Sequence, residues 1–266
     1  MGRIRVITAI ASTTLGEAIR RRVLLVILLI GVMFIAVAPA LKVLSARQET
    51  TVLTSLMLGI IQFTSAVIAI VLTVYLIPNE IERRTIYTIL CKPVQRWQFL
   101  IGKYLGAVMA LGLMMAMMTA IQLIVFFVFQ QGVTMEKLVD LAKAPALYFV
   151  QMSLLAAVAV FFSTCVSPLV NFFLSGGVYL VGNLFNPIFD TIQKNPSSSA
   201  PVKFGAMLIN TVMPNFANYN VQNQIINPGQ QIQNEGLYYF NVTIYGLFYI
   251  GILLVGGIMI FDRREV

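Results

Sequence analysis

Residues 20–41 read RRRVLLVILLIGVMFIAVAPAL: three arginines, then an unbroken run with neither a charge nor an amide side chain. A helix needs about twenty such residues to cross hydrocarbon roughly 30 Å thick, so the run is a transmembrane span and the fold is a membrane bundle. Ala38-Pro39-Ala40 also has the small residues of a signal-peptide cleavage site. Proline makes such a site a poor substrate, and a long amphipathic segment precedes the run, so a retained first span, Val23–Leu41, is expected.

Working outward, five more apolar stretches have the required length: Leu53–Ile77, Tyr104–Phe129, Pro145–Val166, Leu169–Phe189 and Leu237–Phe261. The fifth stretch is interrupted by Asn171, Asn183, Asn186 and Pro187, and only Ser167-Pro168 separates it from the fourth, which predicts a helical hairpin. The expected fold class is an all-α polytopic membrane protein of six transmembrane helices, one transmembrane domain over 1–266. An interfacial helix occupies 1–22, a cytoplasmic segment 79–99 and an outer loop 191–236. Composition agrees: 59% of residues are hydrophobic and 11% charged, against about a quarter charged in soluble domains.

Charge sets the orientation. With the N-terminus in the cytoplasm, the inner side holds Arg3, Arg5, Arg20, Arg21, Arg22, Arg83, Arg84, Lys92, Arg96, Lys103, Arg263 and Arg264. The outer side keeps Lys42, Arg47, Lys137, Lys143, Lys194 and Lys203. The excess of cations on one side places both termini in the cytoplasm of a cell membrane. The net charge of +8 is scattered between apolar runs rather than gathered on a domain, so no nucleic-acid partner is expected. Residues 3–22 set Ile4, Ile7, Ile10 and Ala11 at helical spacing opposite polar residues, as in a helix lying in the interface.

Between their ends the six stretches contain no Asp, Glu, Lys, Arg or His. Proton- and sodium-driven transporters commonly use ionisable groups inside the membrane, and voltage sensors need arginines there. Energy is therefore expected from outside the bilayer. The chain has no histidine, and the string nearest to a phosphate-binding loop, Gly177 to Gly182, continues with Asn183-Leu184 where Lys and Ser or Thr are required. No catalytic residue, cofactor or metal ligand is assigned, and Cys91 and Cys165 are expected as free thiols.

The most informative polar stretch is 79–103, NEIERRTIYTILCKPVQRWQFLIGK. Asn79 can cap a helix that Glu82 closes from its first turn; Glu80 and Glu82 suit the positive helix end, and Pro93 stops it. Ile86, Ile89 and Leu90 form an apolar edge that must bury against something. Lipid headgroups would satisfy Arg83, Arg84, Lys92 and Arg96 but repel the two glutamates, whereas a protein groove satisfies both signs.

Arg84-Thr85-Ile86, Leu90, Lys92-Pro93-Val94, Arg96, Phe99-Leu100 and Gly102-Lys103-Tyr104-Leu105-Gly106 resemble the signature of type-2 permeases of ATP-binding-cassette (ABC) exporters. The resemblance implies a permease subunit, not an enzyme, that works with a separate P-loop ATPase in two copies and a second permease subunit. ATP and Mg would be bound by the partner. Glu80, Glu82, Arg83, Arg84, Thr85, Ile86, Tyr87, Leu90, Lys92, Pro93 and Arg96 would form the coupling helix that docks on the ATPase. Members often have glycine where this chain has Arg84. In weaker form the resemblance covers the whole chain, and Pro214, Asn215, Phe216 and Asn220 would belong to an outer gate.

Gly102, Gly106 and Ala110 repeat small residues every four positions, which permits a close helix approach, within the subunit or across a permease dimer. Met109, Met114, Met115, Met117 and Met118 on the third span are expected to pack. Phe204, Met207, Leu208, Thr211 and Val212 recur at helical spacing and predict a short helix at the outer leaflet. The rival readings are a self-contained channel or secondary transporter, disfavoured by charge-free spans, and a non-transporting membrane scaffold that would need no ATPase.

Overall fold

In hydrocarbon an apolar run can satisfy its backbone only within itself or in a closed barrel, and this sequence chooses the helix. The computed structural model describes residues 3–40, 49–82, 95–130, 134–194, 199–221 and 234–263. In chain order they form α1 (Arg3–Arg20), α2 (Arg22–Val37), α3 (Glu49–Val74), α4 (Pro78–Glu82), α5 (Arg96–Phe129), α6 (Met135–Ser163), α7 (Pro168–Lys194), α8 (Ala200–Val212), a 3-10 turn (Ala217–Tyr219) and α9 (Glu235–Arg263). No strand occurs among the described residues.

Among the described residues, five stretches are long and apolar enough to cross a membrane: Arg22–Ala40, Thr51–Glu80, Arg96–Phe129, Lys137–Ser163 and Glu235–Arg263. α7 has comparable length, but its apolar part is only Pro168–Leu184. Asn186, Asp190 and Thr191 follow in its last turns, which is why the expected fifth span is the shortest. The predicted α6–α7 hairpin forms, with Ser167 between the two helices. The short helix predicted after it forms as α8, and Phe204, Met207 and Leu208 stand exposed on its surface.

α6 is the centre of the bundle, packed by α3, α5, α7 and α9. Every residue from Gln151 to Val160 is buried. Ala156, Ala157 and Ala159 in this run let neighbouring backbones come close on several sides.

One expectation is corrected and another is extended. The helix after the second span begins at Pro78, one residue before the expected Asn79 cap, because proline fits the first helical turn, where its missing N–H loses nothing. The N-terminal helix does not merely rest in the interface; it docks along α5. Its buried face is Ala11, Thr14 and Ala18, while Ile4 is 77% exposed. Small residues were needed on both sides of this contact. A Cβ added at Gly102 would lie 2.8 Å from the Ile10 Cβ, and one added at Gly106 would lie 2.5 Å from the Thr14 Cβ and 2.6 Å from the Ala11 carbonyl oxygen. The small-residue repeat of the third span thus serves α1 of the same chain, with Ala110 buried one turn further on.

A valine at position 106 must push α1 away, which costs about 1–3 kcal/mol by the usual scale of overpacking. Gly106→Val should lower the melting temperature in detergent and expose α1 to protease. Gly251→Val, where an added Cβ meets nothing within 4 Å, should change neither; equal effects would show that close α1–α5 packing is not what Gly106 provides.

Candidate functional site

Among the described residues two clusters of polar side chains stand out, one at each end of the bundle. The first surrounds the start of α5. Gln98 accepts a hydrogen bond from the Gln95 backbone N–H at 3.1 Å and closes the first turn. Arg96 reaches across to α9, where its Nη1 donates to the carbonyl oxygens of Phe261 at 2.9 Å and Asp262 at 3.3 Å. Its guanidinium sits 5.8 Å from the centroid of the Phe261 ring, which stacks on Phe99. A cation at carbonyls that lack helical partners is the favoured way to finish a helix, so Arg96 fastens α9 to α5.

About two turns beyond Arg96, Lys103 is a lysine only 6% exposed. Its ammonium meets Glu80 of α4 at 2.5 Å and Glu17 of α1 at 3.6 Å, and it faces the Phe99 ring at 5.9 Å. Glu80 is 14% exposed and Glu17 55% exposed. One cation therefore joins three elements: the N-terminal helix, the short helix that leads into the 83–94 segment, and the long span that leaves it. Beside it lies a cavity of about 380 Å³ lined by Glu17, Arg20, Arg21, Asn79, Glu80 and Lys103 among others. Removing one partner of a buried ion pair leaves an uncompensated charge, a cost of about 3–5 kcal/mol, so Lys103 constrains all three elements at once.

Of the residues read as coupling the ATPase, the structure brings Glu80 and Arg96 to this end of the bundle, and Glu82 closes α4. Arg83, Arg84, Thr85, Ile86, Tyr87, Leu90, Lys92 and Pro93 lie outside the described residues.

The second place is the turn 214–221, set into the opposite half of the bundle. Phe216 and Tyr219 are fully buried, and Pro214 is buried beside them. The Phe216 N–H donates to the Gly182 carbonyl at 3.2 Å. A side chain at 182 would collide with the Phe216 ring and come within 2.8 Å of the Pro214 carbonyl oxygen, so only glycine admits the turn. From α6, Gln151 donates through Nε2 to the Phe216 carbonyl at 2.9 Å and to Asn183 Oδ1 at 3.2 Å, while its Oε1 accepts from Gln62 at 3.2 Å. Three helices and the turn thus share one amide. α9 holds the other side: the Tyr245 hydroxyl accepts from the Asn215 N–H at 3.0 Å, Tyr219 donates to the Val242 carbonyl at 3.2 Å, and Tyr238 donates to the Asn218 carbonyl at 2.6 Å. Burial raises the Tyr219 phenol above the usual tyrosine range, keeping it a neutral donor. Asn220 ends the 3-10 turn, exposed, its N–H donating to the Ala217 carbonyl.

Sequence reasoning named the Pro-Asn-Phe element but not its holders. Gln62 and Gln151 are lone amides in apolar spans, a signal passed over because only ionisable residues were sought there; hydrogen-bonding amides glue membrane helices too. Glu17 left no such signal, since an acid on an amphipathic helix reads as a solvated face.

The sequence matches the family of ABC-2 family transporter proteins over residues 8–266. A search of curated proteins finds no match. A family match across nearly the whole chain, on an all-helical multi-pass architecture, implies an ATP-binding partner subunit and a protein that is itself the membrane transport component. The chain belongs to the ABC-2 transporter family, as a membrane permease component of an ABC transporter.

Proposed function

We propose that this permease is the membrane half of an ATP-driven exporter in the cytoplasmic membrane, both termini inside, assembled as a permease dimer with two ATPase subunits that bind ATP and Mg. Force enters at residues 79–99 and changes which side of the membrane the pathway faces. The observation that carries this reading is the Lys103–Glu80–Glu17 cluster. A segment displaced by a partner moves Glu80 first, and the buried pair passes that movement to α5 and α1 without slack. At the other end, the turn held by Gln151, Gly182 and Tyr245 is the outer closure. Ser65 on α3 and Gln122 on α5 bury polar atoms without partners among the described residues; a polar route along the second and third spans would offset that cost.

Three outcomes follow. Glu82→Arg combined with Tyr87→Ala should release or uncouple the ATPase while membrane insertion stays intact; unchanged complex recovery and ATP turnover would sink the coupling assignment. Lys103→Met should destabilise the chain by about 3–5 kcal/mol by removing one side of a buried ion pair, and Lys103→Met with Glu80→Met, which removes both charges, should recover stability. Transport into vesicles should stay about tenfold or more reduced in the double variant, a barrier of at least 1.4 kcal/mol; full recovery would mean that the pair only stabilises.

For the closure, Ala217→Cys should react with a membrane-impermeant maleimide added to intact cells, whereas the exposed Cys165 at the other end should not. Adding Gln151→Leu removes interhelical hydrogen bonds worth about 0.6–1.7 kcal/mol each and should speed labelling at 217. Equal rates with and without Gln151 would remove the turn from the gate.

A further inference from the structure

The cavity beside Lys103 has a composition that force transmission does not require. Two candidate spans end on it, Arg22–Ala40 beginning just after Arg21 and Thr51–Glu80 finishing at Glu80. Its depth is therefore that of lipid headgroups. Leu72, Leu76 and Ala18 give the lining an apolar part, and the rest is polar, with Thr14 and Asn79 beside charges of both signs.

Lys103 is paired with Glu80 and Glu17, whereas the two arginines of the lining are not. Arg20 and Arg21 line the cavity, and among the described residues neither has a carboxylate partner. The Glu17 carboxylate is half exposed and 3.6 Å from Lys103, so it keeps acceptor capacity after pairing. Glu17 also lies in the last turn of α1, whose terminal carbonyls add negative potential.

We propose that this cavity binds the headgroup of a zwitterionic phospholipid with a primary ammonium, phosphatidylethanolamine in chemical class. Arg20 and Arg21 take the phosphate, Glu17 accepts from the ammonium, and the acyl chains leave past Leu72 and Leu76. Arginine suits phosphate through its forked donors. A choline headgroup carries the charge but no N–H to donate, and a glycerol headgroup brings no ammonium to the acceptor capacity that Glu17 keeps beside Lys103. The volume of about 380 Å³ falls in the range of small-molecule sites.

The test uses the full-length chain purified in detergent, stripped of lipid and offered equimolar phosphatidylethanolamine, phosphatidylcholine and phosphatidylglycerol, with retention read by native mass spectrometry. One phosphatidylethanolamine per chain should be retained ahead of the other two. Glu17→Gln and Arg21→Gln should each weaken it about tenfold, the scale of one charge-assisted hydrogen bond at a partly exposed group. Lys103 keeps its closer partner Glu80 in the Glu17 variant, and a cooperative melting transition will show that each variant folds. Lys143→Gln, at the far end of the bundle, should leave retention unchanged. Preferential binding of phosphatidylglycerol, or indifference to both cavity variants, would overturn the site. Free phosphoethanolamine should displace the lipid only in large excess; displacement at equal concentration would overturn the lipid as the source of the group.

Discussion

Hydrocarbon gives a polar group no partner, and the arrangement of this permease follows from that constraint. Backbone groups are settled within the helices. Side-chain amides are settled by one another, as at Gln62, Gln151 and Asn183, and by the carbonyl that the 214–221 turn brings to them. An irregular segment is tolerable among spans only where protein surrounds it, and the turn meets that condition because α6, α7 and α9 each supply a donor or an acceptor. Removing that enclosure would cost more than any contact the turn makes on its own.

The charged end obeys the same constraint at the border of the bilayer. Lys103 sits where water is scarce, and it is kept by two carboxylates from elements far apart in the chain. Arg96 is kept by carbonyls that α9 cannot satisfy at its own end. The two cations flank the helical start of α5, so that start is fixed both to the N-terminal helix and to the C-terminal one.

Much of the architecture was legible in the sequence because apolar length is a direct requirement of the bilayer, and the runs from Val23, Leu53, Tyr104, Pro145 and Leu237 each became a helix. The short helix at Ala200 was legible from the spacing of Phe204, Met207 and Leu208. What spacing could not supply was partnership. Gly102 and Gly106 announced a close approach, but the neighbour, Ile10 and Thr14, lies ninety residues upstream in register and is set by three-dimensional docking. Lys103 read as one more cytoplasmic cation, since nothing local reveals that Glu17 and Glu80 close over it. The seat for Phe216 at Gly182 was equally silent, because a glycine in an apolar helix has several ordinary reasons to be there.

The encirclement of α6 has a mechanical consequence. A helix gripped along Gln151–Val160 by four neighbours has no free side toward which it can tilt, and close-packed interiors do not yield gradually. In the proposed transport cycle it would serve as the stator of the subunit, and the stroke would fall to helices with one open face, above all α2, whose Val23, Leu29, Met33 and Phe34 are more than half exposed.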